Sequence, residues 1–517
     1  MTTLNHHYEA IDIAIQSTSW INTVTENWSY TLKLTEINTR SLPDKLTYES
    51  ALALSMSLAD FERNANQPTH STFHLERMRL LTKLLGNPQS SVPSIHIAGT
   101  KGKGSTCAMV SSALSKAGLK VGLTTSPHLH SVTERIRIGF EPISKDLFTN
   151  LVRYLWPFVR RVEVDGNYGA PTWFEFMIVA AFQHFQDEKA DIQVVETGLG
   201  GRLDATNILS PILTSITSIS IDHATILGHN VRDIAKEKAG IIKETVPVIV
   251  APQQRSSDAF NVISEVAQAH NAPLVDVSQS HPVEIVQAGL FGQSICVTGN
   301  LSTYKFDLPL LGKYQADNAA TAIAVLESLV KEGYVINKGA IEEGLSCVEW
   351  PARLEIVNEL DPFIVVDGAH NPYSARCLVD AIDLIKKSQT ESQGKIILVF
   401  GALKNHDCSG MLREFLRLDP ILIPVSSRHP KAASHIDIVN CADKIGILVD
   451  DGSRTGFENL AHAMEYALSR TRAKDMVLGT GSLSVAAEII EWKRKIAPEL
   501  YPGLLLDTVV GKDPNNR

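Results

Sequence analysis

The sequence predicts an α/β protein: a P-loop-type, doubly wound and mostly parallel sheet, followed by a smaller Rossmann-like α/β unit. Three observations predict it. Short continuous Val/Ile/Leu runs alternate with stretches of helical spacing, the pattern of strands buried on both faces. A glycine- and lysine-rich turn, "HIAGTKGKGST" at 96–106, joins one such run to a helix. The alternation breaks at Trp350-Pro351 and then restarts. A chain of 517 residues is long enough for two or three separate cores.

Taken in order, residues 1–46 are polar and Thr/Asn-rich, and form an N-terminal extension to which the sequence assigns no role. Helical spacing begins in "YESALALSMSLADFE" and resumes in "FHLERMRLLTKLLGNP", where Gly86 and Pro88 supply a stop. "SIHIAG" reads as a strand, "GSTCAMVSSALSKAG" as a helix ending at Gly118, and "KVGLTTSP" as a strand again. Then come "IQVVETGLGG", "LTSITSISIDH", the helix "VRDIAKEKAGII" and "VPVIVAP". Residues 281–310 carry shorter alternating pieces suited to an antiparallel appendix, and "NAATAIAVLESLVKEG" is a helix. The second unit holds "PFIVVDGAHNPYSARCLVDAIDLI", "KIILVFGALKN" and "MVLGTGSLSVAAEIIEW". The expected division is 1–46, 47–349 and 350–517.

Composition narrows the function. A net charge of -9 argues against a general nucleic-acid binder, while leaving room for local cationic pockets that take small anions. The six cysteines are scattered without a C-x-x-C pair, which disfavours zinc ribbons and disulfide frameworks and favours a reducing compartment. The first 30 residues contain no Lys or Arg, so no secretory or transit peptide fits. Apolar runs such as "FMIVAAF" are far too short to span a bilayer, and a cytoplasmic protein without membrane partners is expected.

In open α/β sheets ligands bind beyond the carboxyl ends of the strands. The first strand ends in Gly99, Thr100, Lys101, Gly102, Lys103, Gly104, Ser105 and Thr106. Glycines let backbone amides turn toward a phosphate, the helix start adds partial positive charge, and Lys103 adds a full one. The turn departs from the common phosphate loop, because Ile97 stands where the leading Gly belongs and Gly104 follows the Lys in place of a metal-binding hydroxyl. Ser126, in "TTSPHLHSVTERIRI", is a candidate substitute for that hydroxyl; alone, a Ser-Pro pair is only a turn. "IQVVE" ends in Glu196, whose carboxylate needs a cation or an ion pair, Arg202 being the nearby alternative. "LTSITSIS" ends in Asp222-His223, an imidazole able to ligate metal or hydrogen-bond. Hard oxygens plus one nitrogen suit Mg²⁺ held partly by substrate phosphates.

These residues resemble the folylpolyglutamate synthase and dihydrofolate synthase family, within the Mur-ligase-like ATP-dependent amide ligases. The loop is similar to that group's G-T-x-G-K-[GST]-[ST] form. The likeness continues in "SPHLHSVTERIRI", "FEF", "ETGLGGRLDATN", "SISIDHATILGHNVRDIAKEKAGIIK", "NAATA", "WPARLE" and "DGAHNP", in unbroken order over roughly 48–490.

The resemblance implies that ATP phosphorylates a folate or dihydropteroate carboxylate and that the amine of L-glutamate captures the acyl phosphate. By the same resemblance Lys103 would hold the β- and γ-phosphates, Ser126 and Glu196 a first Mg²⁺, and His223 a second. Lys238 would be carbamylated, since a plain ammonium beside Mg²⁺ is repelled; an ordinary Lys paired with Glu237 or with phosphate is the alternative. Asn318, Arg353, Asp367 and His370 would contact the nucleotide, although Asp367 as a helix cap and Arg353 paired with Glu355 are simpler readings. The folate would lie near Pro127, His128, Thr172, Phe174 and Glu175, with Trp173 and Phe174 equally suited to the core. Ser482 in "GTGSLS" would help receive glutamate, although a plain glycine-rich turn is the simpler reading. A monomer is expected.

Two other readings compete. A cell-wall Mur ligase shares the loop but lacks the paired "SPHLHSVTERI" and "DGAHNP" stretches, and normally carries a separate domain for UDP. A nucleotide-binding switch that hydrolyses slowly has no need of the second α/β unit.

Overall fold

The computed structural model describes residues 46–60, 74–222, 224–253, 257–289, 291–358, 362–388, 394–457 and 459–499. The extension before residue 46 lies outside them, as does His223.

Eight strands form the larger sheet: β1 (Ser94–Ala98), β2 (Val121–Thr124), β3 (Arg137–Ile138), β4 (Glu141–Pro142), β5 (Ile192–Glu196), β6 (Leu213–Ile216), β7 (Val248–Val250) and β8 (Leu274–Asp276). Their order is β4-β3-β2-β5-β1-β6-β7-β8. All neighbours from β2 to β8 run parallel, and only β3 and β4 pair antiparallel at one edge. Every residue of β1, β2, β5 and β6 is buried, as their uninterrupted apolar runs require. In β5 the side chains of Ile192 and Val194 join the core formed with helix Lys103–Lys116, while Val195 joins the core of helix Trp173–Asp187 on the opposite face. The sheet is thus wound on both sides.

Residues 281–310 contain β9 (Val283–Gly289), β10 (Gly292–Thr298) and β11 (Thr303–Leu308), an antiparallel meander of order β11-β10-β9. It lays Tyr304, Phe306 and Leu308 against helix Lys313–Lys331. That helix starts earlier than the sequence pattern indicates. Gly312, at φ 99°, turns the chain into it, so Asn318 sits in its second turn and not at its start. The first helix, by contrast, is shorter than its apolar pattern: Thr47 caps it and it ends at Met56.

The second unit is a five-stranded sheet of β12 (Glu355–Asn358), β13 (Phe363–Val366), β14 (Ile396–Phe400), β15 (Ile421–Pro424) and β16 (Met476–Thr480), in the order β12-β13-β16-β14-β15. Only β12 is antiparallel. Among the described residues no helix is long and apolar enough to cross a membrane.

Candidate active site

Strands β2, β5, β1 and β6 are consecutive neighbours, so their carboxyl ends place four chain segments side by side. Ser126 follows β2, Glu196 closes β5, the glycine-lysine loop follows β1, and Ser218 to Asp222 follow β6. Loop and neighbour are tied: Thr100 N and Lys101 N donate to the Ser218 carbonyl at 2.9 and 3.1 Å, and Thr100 Oγ1 donates to the Ser220 carbonyl at 3.1 Å.

The helix Lys103–Lys116 begins with no side-chain cap and no acidic residue in its first turn, which leaves its positive end for a ligand. Gly102 precedes it at φ 88°, and a Cβ there would lie 2.3 Å from Asn318 Oδ1. Gly104, the departure from the common loop, has a packing reason. A Cβ at that position would meet the Trp350 ring at 2.8 Å, so a Ser or Thr there would displace the indole. Ser105 lines the cleft beside it, whereas the Thr106 hydroxyl is buried and makes no hydrogen bond.

Glu196 is buried, and burial pushes its carboxyl upward against the opposing pull of Lys103. Lys103 Nζ stands 3.7 Å from Oε1, and Ser126 N donates to Oε2 at 3.0 Å. Arg202 does not serve it, being paired with Glu237 at 2.8 Å. Lys238 is buried as well; its Nζ donates to the Gly99 carbonyl at 2.7 Å and not to Glu237. Burial, aided by the charge of Lys103, brings its ammonium down to about 7. Lys101 Nζ lies 2.8 Å from both Asp222 Oδ2 and His370 Nε2. Burial lowers its ammonium, with Asp222 opposing.

The two sheets face each other across a cleft of about 1050 Å³, large enough for a nucleotide with a second substrate. From the five-stranded side come Arg353, Asp367, His370 and Ser482; from the other, Asn318 and the loop. Asp367 does not cap the next helix. Its oxygens take the amides of Leu354 and Ala369 at 2.8 Å each, and burial raises its carboxyl while Arg353 opposes. Glu355 is engaged by Arg494 and by the Ala352 amide, leaving Arg353 to the cleft. Asn318 Nδ2 donates to Gln315 Oε1 at 3.0 Å. Ser482 caps helix Leu483–Arg494 through Val485 N at 3.3 Å and contacts Ser484 Oγ at 3.0 Å.

Pro127, His128, Thr172, Phe174 and Glu175 all line the same cleft. Three of them carry structural bonds: His128 Nδ1 accepts from Arg135 Nε at 2.8 Å, Thr172 and Glu175 form a reciprocal helix cap, and Glu175 takes Arg77 Nε and Nη2 at 2.8 Å each. Trp173 is core, fully buried beneath the Arg135 guanidinium at 4.6 Å, whereas Phe174 is half-buried against Gly198 and presents a face for stacking. Sequence reasoning missed several lining residues, among them Lys101, Asp222, Arg135 and Arg428. Lys101 carried a signal as the second lysine of the loop, and Asp222 as the neighbour of His223.

Two family models match the chain: the Mur ligase middle domain over residues 97–326 and the Mur ligase glutamate ligase domain over 352–483. The dihydrofolate synthase/folylpolyglutamate synthase of Bacillus subtilis is 34% identical over 418 residues, covering 80% of this chain and 94% of that protein. Mycobacterium tuberculosis folylpolyglutamate synthase complexed with ADP and AMPPCP superposes with a TM-score of 0.74 at 29% identity, over 82% of this chain and 96% of that one. Escherichia coli FolC in complex with DHPP and ADP gives 0.73 at 29% identity, over 86% and 98%. The chain belongs to the dihydrofolate synthase/folylpolyglutamate synthase family of ATP-dependent, amide-bond-forming ligases.

Proposed function

We propose that the chain joins L-glutamate to the carboxylate of a dihydropteroate or folate substrate, at the cleft between residues 47–349 and 350–517. The observation that carries the reading is Lys103 at an uncapped helix start facing the cleft, 3.7 Å from the buried Glu196. A free positive helix end with a lysine beside it makes a site for an anion, and a triphosphate supplies it.

A carboxylate oxygen of the folate attacks the γ-phosphorus, ADP departs, and an acyl phosphate forms. The amine of glutamate then attacks the acyl carbon, loses a proton, and expels phosphate. Lys103 and the amides of the loop bind the β- and γ-phosphates and balance the charge that gathers there. Asn318, Arg353, Asp367 and His370 orient the nucleotide, Asp367 being suited to accept from a ribose hydroxyl. Phe174, with Pro127 and His128, seats the pterin, and Ser482 contacts the incoming glutamate.

The fit for Mg²⁺ rests on Glu196, a buried carboxyl whose rise is caused by desolvation and which a cation would offset. Ser126 and Glu196 would hold one ion, and His223, assigned from sequence alone, a second. Bound Mg²⁺ supplies charge neutralisation for the phosphates. Lys238 fits carbamylation, because a lysine brought down to about 7 presents the neutral amine that reacts with CO₂. The chain reads as a monomer, and as cytoplasmic on its scattered, unpaired cysteines.

The test is an ATP and L-glutamate assay run side by side with dihydropteroate and with a reduced folate. ADP release that needs both glutamate and one of the pterins is expected. Release with neither would refute the ligase reading in favour of a switch.

A further inference from the structure

Lys101 is the one lysine of the cluster that the chemistry above leaves without a task. Its side chain is four-fifths buried, at 19% exposure, and makes two contacts of 2.8 Å, one to Asp222 Oδ2 and one to His370 Nε2. Asp222 Oδ2 also accepts from Asn371 Nδ2 at 3.3 Å. Lys101 and Asp222 extend from β1 and β6 of the larger sheet, whereas His370 and Asn371 follow β13 of the smaller one. The group therefore spans the cleft.

His370 is fixed from two sides. Its Nδ1 lies 2.9 Å from the Gly368 carbonyl, which can only accept, so Nδ1 carries the proton. Nε2 is then a lone pair, and it accepts from the Lys101 ammonium. Lys101 also sits inside the phosphate loop, between Thr100 and Gly102, with its amide held by the Ser218 carbonyl at 3.1 Å. A displacement of the loop thus reaches His370 through one side chain.

We propose that Lys101 is a positioning residue that ties the phosphate loop to His370 and Asn371, and so aligns the smaller sheet for capture of the activated carboxylate by glutamate. This rests on the ligase reading. An ion pair of this kind that crosses a cleft adds little to nucleotide affinity, since Lys101 is already engaged, but it fixes where the second unit stands relative to the first.

The test is Lys101→Met in the full chain, with ADP and amide product measured in the same reaction. The expected result is a fall in kcat for amide of about ten- to a hundredfold, with the KM for ATP changed by less than about threefold. ADP formed per amide should rise above the parent's ratio, as activated carboxylate is lost to water. Lys101→Arg should restore most of the coupling. Asp222→Asn should reproduce the uncoupling, and its addition to Lys101→Met should cost nothing further. A parental ratio and kcat in Lys101→Met, or a loss confined to the KM for ATP, overturns the inference. If Lys101→Met does not fold, a parental ratio in Asp222→Asn overturns it instead. A parent chain without glutamate-dependent ADP release would sink the ligase reading itself, a result separable from all of these.

Discussion

Two corners of one cleft handle buried charge in opposite ways. At the phosphate loop Lys101 and Lys103 contact Asp222 and Glu196, while Lys238 contacts only a carbonyl oxygen, and Lys103 stands off its carboxylate at 3.7 Å. At the far corner Arg428 Nη2 meets Glu491 at 2.5 Å, its amide meets Glu488 at 2.7 Å, and His130 reaches the other Glu491 oxygen at 3.1 Å. The second corner sets Glu488 and Glu491 against the single Arg428 guanidinium, and burial holds Glu488 up at about 7, so its charge is close to matched from within. The first leaves Lys103, at 3.7 Å from Glu196, and the uncapped start of helix Lys103–Lys116 turned to the cleft, and that is the charge a nucleotide would neutralise. A buried charge is therefore informative about ligands when its own partners fail to match it.

Three substitutions break or sharpen this contrast, in falling order of effect. Lys103→Ala should reduce glutamate-dependent ADP formation by at least about a thousandfold while circular dichroism stays that of the parent. Retained activity would mean that the Lys103 charge serves another purpose. Lys238→Ala should cost about a hundredfold and regain part of the rate when short carboxylic acids are added, as expected if a carboxylate normally occupies that position. An unchanged rate argues against the modification, and a loss without recovery argues for a role of the amine itself.

The smallest effect belongs to the balanced corner. Burial pushes the Glu488 carboxyl from 4.5 up to about 7, so between those values the folded chain keeps a proton that the unfolded chain has released. Stability from this group therefore declines as pH rises through that window and is level above it. Glu488→Gln should remove the decline, so that the thermal midpoint falls less between pH 5 and pH 8 than in the parent. Equal slopes would show that Glu488 ionises normally.

Much of this was readable from residue order. Continuous apolar runs place β1, β5 and β6 in a parallel sheet, with the loop and Glu196 at the ends of β1 and β5; β6 stops at Ile216, short of the expected Asp222, which lies on the segment that follows it. What could not be read depends on contacts across long separations. Lys101 meets His370 269 positions away only because the two sheets dock, and no local pattern encodes that docking. The same holds for Gly104, whose need to be glycine comes from Trp350. Trp173 and Phe174 were inseparable for a different reason: adjacent residues on a helix point about 100° apart, and which one faces the core depends on what packs there. His223 lies outside the described residues, so its expected part in metal binding rests on sequence.

The most direct measurement is a crystal structure of the chain with a non-hydrolysable ATP analogue. The account predicts the β- and γ-phosphates over the Gly102 and Lys103 amides, with Lys103 Nζ in hydrogen-bonding contact and Glu196 directed at them. A triphosphate seated away from Lys103, with the lysine corner unchanged, would contradict it.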